Sequence, residues 1–212
     1  MKSKAFSLGI KLLLQTIFSN SVKCEKTTLP ALSNYLSLEK DYLKMLSEQA
    51  SELNFVKEKK EGLQITDLGR KQIQVVLCGG VFDVIHHGHI YTLSESKLLG
   101  DVLVVSVARD MTVLKVRAKA PLNNEKQRVK LVSALKPVDV AILGSEKDIL
   151  ETVDKLRPDV ISLGYDQHHN EKKLLLAAKA KGIDLSIVRL DSPDPGAKTS
   201  IIKENRESLQ WF

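Results

Sequence analysis

Cysteine is almost missing from this 212-residue sequence, where Cys24 and Cys78 are the only two. Two thiols build neither a disulfide framework nor a cysteine-based metal site, so the fold has to rest on its apolar core, and the scarcity suits a reducing, cytoplasmic setting. Long apolar runs are missing too. No segment approaches the roughly 20 apolar residues that span a bilayer, which removes a membrane protein from consideration. The start, Met1-Lys2-Ser3-Lys4 followed by Ala5 to Leu14, has a superficial likeness to a signal peptide. Lys11 breaks its apolar run and no small-residue cleavage site follows, so an amphipathic helix is expected instead. Internal repeats and low-complexity tracts are absent. What is present is a modest excess of positive charge, 32 Lys and Arg against 26 Asp and Glu, for a formal charge of +6. Such a balance suits polyanionic partners, nucleotides or nucleic acid, although many ordinary enzymes share it.

Two different patterns meet near Arg70. Before it, apolar residues recur at helical spacing in Ile10 to Phe18, Leu29 to Leu36 and Tyr42 to Leu53. Phe55 to Thr66 then reads as two alternating strips around a charged, glycine-bearing turn, a hairpin. Three helices followed by a basic hairpin resemble a winged helix in shape, so residues 1–72 are expected to form a small winged-helix-like α+β domain. After Gln74, short β-branched runs alternate with helical stretches. Strands are expected at Val75–Cys78, Val102–Val107, Val138–Leu143, Val160–Leu163 and Leu185–Leu190, with helices over Ile90–Leu99, Asn124–Leu135, Ile149–Leu156 and Glu171–Lys181. This order specifies an α/β fold for residues 73–212, a Rossmann-like, doubly wound five-stranded parallel sheet.

Such sheets bind ligands at the carboxyl ends of their strands, and the first strand-to-helix loop commonly carries phosphate contacts. Here that loop reads Gly79-Gly80-Val81-Phe82-Asp83-Val84-Ile85-His86-His87-Gly88-His89. Gly79 and Gly80 are expected to let the backbone leave the strand tightly and approach a ligand, and Gly88 to do the same at the helix start. Unpaired amides in the first helical turn favour a phosphate there. His86 and His89 are spaced so that both imidazoles can face one phosphorus. Histidines used only as helix caps or core donors are the plainer alternative.

These residues complete the pattern Gly-x-Phe-Asp-x-x-His-x-Gly-His from Gly80 to His89, and with it the chain resembles the cytidylyltransferase-like nucleotidyltransferases. The resemblance runs through about two-thirds of the sequence. It implies that Gly80, Val81, Phe82, His86, His87, Gly88 and His89 bind a nucleoside triphosphate, that His86 and His89 act at its α-phosphate, and that a lysine of the basic stretch Lys115-Val116-Arg117-Ala118-Lys119 meets the outer phosphates. Lys115 is favoured among the three cations; a solvated loop is the alternative. Glu125-Lys126-Gln127-Arg128 resembles the family's Glu-x-x-Arg, which implies that Arg128 points at phosphates, unless it serves only a helix-surface salt bridge. Leu163-Gly164-Tyr165-Asp166-Gln167 resembles a Gly-x-Asp loop that would place Asp166 at ribose or base. Thr199 and Ser200 stand in a segment resembling the family's terminal Ser-Thr-Thr-x-Ile, where Lys198 departs from the pattern. His168-His169 point apart with no third ligand in reach and read as solvent-exposed; no protein metal ligands are assigned. Cys78 reads as packing.

Within this superfamily the closest resemblance is to archaeal FAD synthetases, through Val107-Ala108-Arg109-Asp110, the Glu125 helix start, Ala134 to Asp139 and Asp166-Gln167. It implies transfer of AMP from ATP to FMN, with Mg2+ accompanying the nucleotide. The alternative is a CTP-dependent enzyme acting on glycerol 3-phosphate. A different class, a DNA-binding regulator with a nucleotide-sensing domain, rests on Lys40, Lys44, Lys57, Lys59 and Lys60. Glu39, Asp41, Glu58 and Glu61 interleave with them, which makes a protein contact an equal reading of residues 1–72. A homodimer is the expected assembly.

Overall fold

The structure is a computed structural model that describes residues 7–146, 148–165, 167 and 170–191. Its backbone clusters into two compact units, Met1–Gln74 and Val75–Phe212.

The first unit opens with three helices, α1 (Leu8–Lys23), α2 (Leu29–Leu36) and α3 (Lys40–Glu52). Ser7 caps α1 by accepting from the Ile10 amide at 3.2 Å, and Pro30 sits in the first turn of α2, where its missing N–H costs nothing. The apolar faces meet in a core that fully buries Leu13, Leu14, Ile17, Leu32 and Leu43, each contributing about 1.5–3 kcal/mol of transfer free energy. A hairpin follows, β1 (Val56–Lys59) against β2 (Gly62–Ile65), paired from Val56↔Ile65 to Lys59↔Gly62. Gly62 has φ +119°, and a Cβ there would lie 2.3 Å from the Thr27 carbonyl carbon, so only glycine lets the hairpin lie against the α1–α2 connection. The unit ends with the short α4 (Asp67–Arg70), capped by Thr66 through the Gly69 amide.

The second unit is the expected α/β layer structure, in the order β3 (Val75–Gly80), α5 (His87–Leu98), β4 (Val102–Val107), α6 (Asp110–Arg117), α7 (Glu125–Ser133), β5 (Val140–Leu143), α8 (Ile149–Leu156), β6 (Val160–Leu163), α9 (Glu171–Ala180) and β7 (Ser186–Arg189). The strands form one parallel sheet ordered β5-β4-β3-β6-β7. Val, Leu and Ile dominate β4 and β6 because helices cover the sheet. At the amino ends two aspartates pin the register: Asp159 accepts from the Val75 amide, and Asp139 accepts from the Leu103 amide and Lys97 Nζ, the last at 2.5 Å.

Three local expectations are corrected. Strand β3 does not stop at Cys78 but runs through Gly79 and Gly80, which pair with Ser106 and Val107. The basic stretch after β4, expected as a loop from Lys115 onward, begins as helix α6, anchored by buried Val113 and with Asp110 in its first turn, where a carboxylate favours the helix dipole. Finally, β5 begins at Val140, since Asp139 is engaged with Leu103 and Lys97.

Candidate active site

The chain moves outward from β3 to β4 to β5, then crosses back to place β6 beside β3. The order therefore reverses between β3 and β6, and the loops leaving these two strands flank the crevice in which such sheets bind ligands. One contact spans the reversal directly: Gln167 Nε2, from the β6 side, donates to the Gly79 carbonyl at 2.7 Å.

The sharp turn that follows β3 is made by Phe82, whose φ is +52°, and not by a glycine. Its buried ring folds back so that a Cβ on Gly80 would meet it at 2.7 Å, which is the steric reason for glycine at that position. The same ring supports His89, centroid to centroid 5.2 Å. Phe82 is thus a platform under the loop. Asp83, only 2% exposed, accepts from the amides of Leu122 and Asn123, both at 3.0 Å, while Asn123 Nδ2 donates to the Asp83 carbonyl at 2.8 Å. The segment before α7 is thereby tied to the histidine loop.

His86 stands at the N-cap of α5 and His87 begins the helix, and the His86 side chain makes no capping hydrogen bond to its first turn. The positive end of a 12-residue helix lies at this loop and favours an anion there. His86 and His89 lie ring to ring, centroids 3.9 Å apart at 35°, and His87 turns away, 6.3 Å from His86 and exposed. Among the described residues the buried Nδ1 of His86 has no hydrogen-bond partner. Partial burial and then the neighbouring His87 charge hold the His86 imidazole below its ordinary pKa, so at neutral pH it is uncharged. An anion placed beside the ring would reverse that balance, because it favours the imidazolium.

Arg128 is placed otherwise than the resemblance implied. Its side chain is 0% exposed, and Nε donates to the Asn123 carbonyl at 3.0 Å, Nη1 to the Val81 carbonyl at 2.6 Å, and Nη2 to the Ala108 carbonyl at 2.8 Å and to Asp110 Oδ1 at 2.6 Å. A guanidinium never deprotonates at accessible pH, so once buried it must satisfy its donors. Here it joins the histidine loop, the end of β4, the start of α6 and the approach to α7 from beneath. Around it, Asp110 and Glu125 exchange backbone-to-carboxylate hydrogen bonds at 2.9 and 3.1 Å, and Arg109 reaches Glu125 and the Gly144 carbonyl. Asn124 and Gln127 close a capping box on α7.

Lys115 lies exposed in the last turn of α6. Arg189 holds the loop after β6 by donating to the carbonyls of Gly164 and Gln167 and to Glu171. Asp166, His168, His169, Lys198, Thr199 and Ser200 lie outside the described residues. Cys78 is buried, its thiol pushed up to about 11 by desolvation, as suits packing and not a nucleophile. Sequence reasoning missed the tasks of Asp83, Asp110 and Gln167. Asp83 stood inside the quoted pattern and so carried a signal, whereas the partners of Asp110 and Gln167 are distant in sequence.

Comparison with known proteins agrees with this geometry. A family model described as cytidylyltransferase-like matches residues 77–205. The chain belongs to the cytidylyltransferase-like family. The FAD synthase of Archaeoglobus profundus is 47% identical over 131 residues, covering 60% of this chain and 83% of that protein, and the FAD synthase of Thermoplasma acidophilum is 50% identical over 125 residues, covering 59% and 87%. A crystal structure of a protein from Thermoplasma volcanium, described there as a lipopolysaccharide core biosynthesis protein, is 48% identical with a TM-score of 0.55, covering 57% of this chain and 99% of that one. All the family-matched residues fall in the second unit. With this membership the reading of the chain as a nucleotidyltransferase enzyme stands. Among the described residues no helix is long and apolar enough to cross a membrane.

Proposed function

We propose that the chain transfers AMP from ATP to FMN, giving FAD and pyrophosphate. The observation that carries this reading is the facing pair His86 and His89 at the start of α5, beside the point where strand order reverses. The likeness to FAD synthases supports the choice of acceptor and nucleotide.

In this reading the triphosphate lies at the first turn of α5, beside the backbone of Gly80 and Val81. A phosphate oxygen of FMN forms a bond to the α-phosphorus while the bond from that phosphorus to the α,β-bridging oxygen breaks, and the electron pair leaves with pyrophosphate. The attacking oxygen is already anionic, so no general base is needed. His86 and His89 neutralise charge at the α-phosphate as it grows, and Lys115 does so at the outer phosphates. Arg128 holds Val81 and Ala108 in place for this chemistry. Asp166 is proposed for the nucleoside, and Thr199 and Ser200 for the phosphates. Among the described residues no group of three or more His, Cys, Asp or Glu is placed to hold a metal ion. Magnesium would accompany the nucleoside triphosphate, supplying further charge neutralisation at its phosphates.

The test offers purified protein ATP or CTP together with FMN, glycerol 3-phosphate, phosphocholine or phosphopantetheine, and measures pyrophosphate. Release with ATP and FMN is expected. Release with CTP and glycerol 3-phosphate alone would overturn the substrate pair while leaving the transfer class intact.

A further inference from the structure

Resting on the adenylyl-transfer reading, we propose that residues 111–122 form the acceptor subsite, whose exposed apolar side chains, Leu114 and Leu122 above all, cover the isoalloxazine ring of FMN. The segment is an arch with both feet on the histidine loop. At its start Asp110 Oδ1 accepts from Arg128 Nη2 at 2.6 Å, and the same guanidinium donates through Nη1 to the Val81 carbonyl at 2.6 Å. At its end the Leu122 amide donates to Asp83 Oδ2 at 3.0 Å. The feet therefore stand on loop residues only two apart in sequence, and the arch leaves and returns beside the histidines.

Its make-up differs from that of an ordinary solvated loop. Between the feet Val113 alone is buried, and residues 114–120 are all exposed. Even so the segment is rich in large apolar groups: Met111 is 63% exposed, Leu114 44%, Val116 78% and Leu122 58%. Met111 and Leu114, three apart on α6, are neighbours on the helix surface. Apolar area left in water is unfavourable, and its concentration at the rim of a binding loop marks a surface that a ligand covers. The remaining charge is of one sign. Lys115, Arg117 and Lys119 lie among these groups, and no carboxylate occurs from Met111 to Leu122.

Apolar and cationic surface together fit an acceptor that joins a flat aromatic ring system to a phosphate. Glycerol 3-phosphate offers only phosphate and hydroxyls, which the cations alone would serve. The outer phosphates of the nucleotide likewise call on cations and leave Leu114 and Leu122 without a task. In FMN the ribityl chain sets the ring away from the reacting phosphate, so the ring belongs beside the histidine loop, where the arch stands. A second copy of the chain is the less fitting occupant, because a two-fold contact would bring three cations against three cations.

The experiment compares the full-length parent with the double variant L114Q and L122Q. Both side chains are exposed, and glutamine at position 122 keeps the amide that Asp83 accepts from, so the melting temperature should hold. Leu176→Gln on α9, where the leucine is 69% exposed, controls for the loss of surface apolar area elsewhere. Quenching of flavin fluorescence gives the affinity for FMN and for riboflavin in the presence of magnesium and α,β-methylene-ATP, which blocks transfer, and FAD formation gives the KM of FMN and of ATP. The double variant should bind both flavins about tenfold or more weakly and raise the KM of FMN to match. The KM of ATP should change by less than about twofold, and Leu176→Gln should alter nothing. Unchanged flavin binding in the double variant would overturn the proposal, as would a parent that binds no flavin. So would a loss for FMN but not for riboflavin, which would place only the phosphate here, or a rise in the KM of ATP alone, which would place the nucleotide here. A parent that binds both flavins through these leucines yet forms no FAD would uphold the subsite and remove the transfer reading. FAD formation indifferent to the double variant would do the reverse.

Discussion

Two cations of the second unit, Arg128 and Lys115, carry the same sequence expectation, contact with the phosphates of a nucleotide, and sit in opposite surroundings. Arg128 is fully enclosed beneath the histidine loop, its nitrogens bonded to three carbonyls and Asp110. Lys115 projects from the last turn of α6 into solvent. The difference teaches that positive charge near a phosphate site serves in two ways. A buried guanidinium holds backbone where the ligand needs it, whereas an exposed, jointed ammonium is available to meet the ligand itself.

The largest expected effect comes from breaking the enclosed member. Arg128→Met strands the carbonyls of Val81, Ala108 and Asn123 and should cost about 3 kcal/mol of stability, with activity falling alongside. Arg128→Lys should rescue little, because one ammonium cannot span acceptors on four segments. Urea unfolding checks this; an Arg128→Met protein as stable as the parent, weakened only in nucleotide affinity, would mean that Arg128 touches phosphate after all. Next in size, Asp83→Asn presents an amide nitrogen to one of the two backbone donors at Leu122 and Asn123. A loss of about 1–2 kcal/mol is expected, with turnover reduced more than nucleotide KM is raised.

Lys115→Ala should leave the unfolding curve unchanged and raise the nucleotide KM about five- to tenfold. If it instead destabilised the protein, the contrast between the two cations would collapse. The smallest effect concerns protonation. Followed by NMR in the nucleotide-free protein, His86 should titrate below its ordinary value of 6.5, and His87→Ala should move the midpoint up by removing a like charge. A depressed histidine pKa contributes stability that is present above about 6.5 and lost as pH falls through the folded-state value, so the protein should weaken on that acidic side. An upward midpoint in the parent would contradict the partial burial of the ring.

Much of the fold was legible because its signals are local. Val102–Val107 and Val160–Leu163 are β-branched, buried runs and form strands at those bounds, and Leu29–Leu36 and Ile149–Leu156 are helices as their apolar spacing specifies. The histidine loop was legible because its residues are contiguous. What escaped has partners remote in sequence. Glycine reads as a turn, yet Gly79 and Gly80 continue a ladder with β4, and the turn falls to Phe82 because its ring packs back on Gly80. Arg128 closes a wholly polar first turn, Glu125-Lys126-Gln127-Arg128, and nothing in one dimension reveals that Val81 and Ala108 close over it. Asp83 likewise becomes meaningful only when Leu122 and Asn123 arrive beside it.

The central claim is that His86 and His89 carry adenylyl transfer to FMN, and chromatographic measurement of FAD formed from ATP and FMN by the parent and by His89→Ala tests it most directly. The account predicts FAD and pyrophosphate in equal amounts from the parent. For the variant it predicts a loss of about a hundredfold or more with the fold retained, because the account places the His89 ring at the reacting phosphate. Undiminished FAD formation by His89→Ala would contradict it.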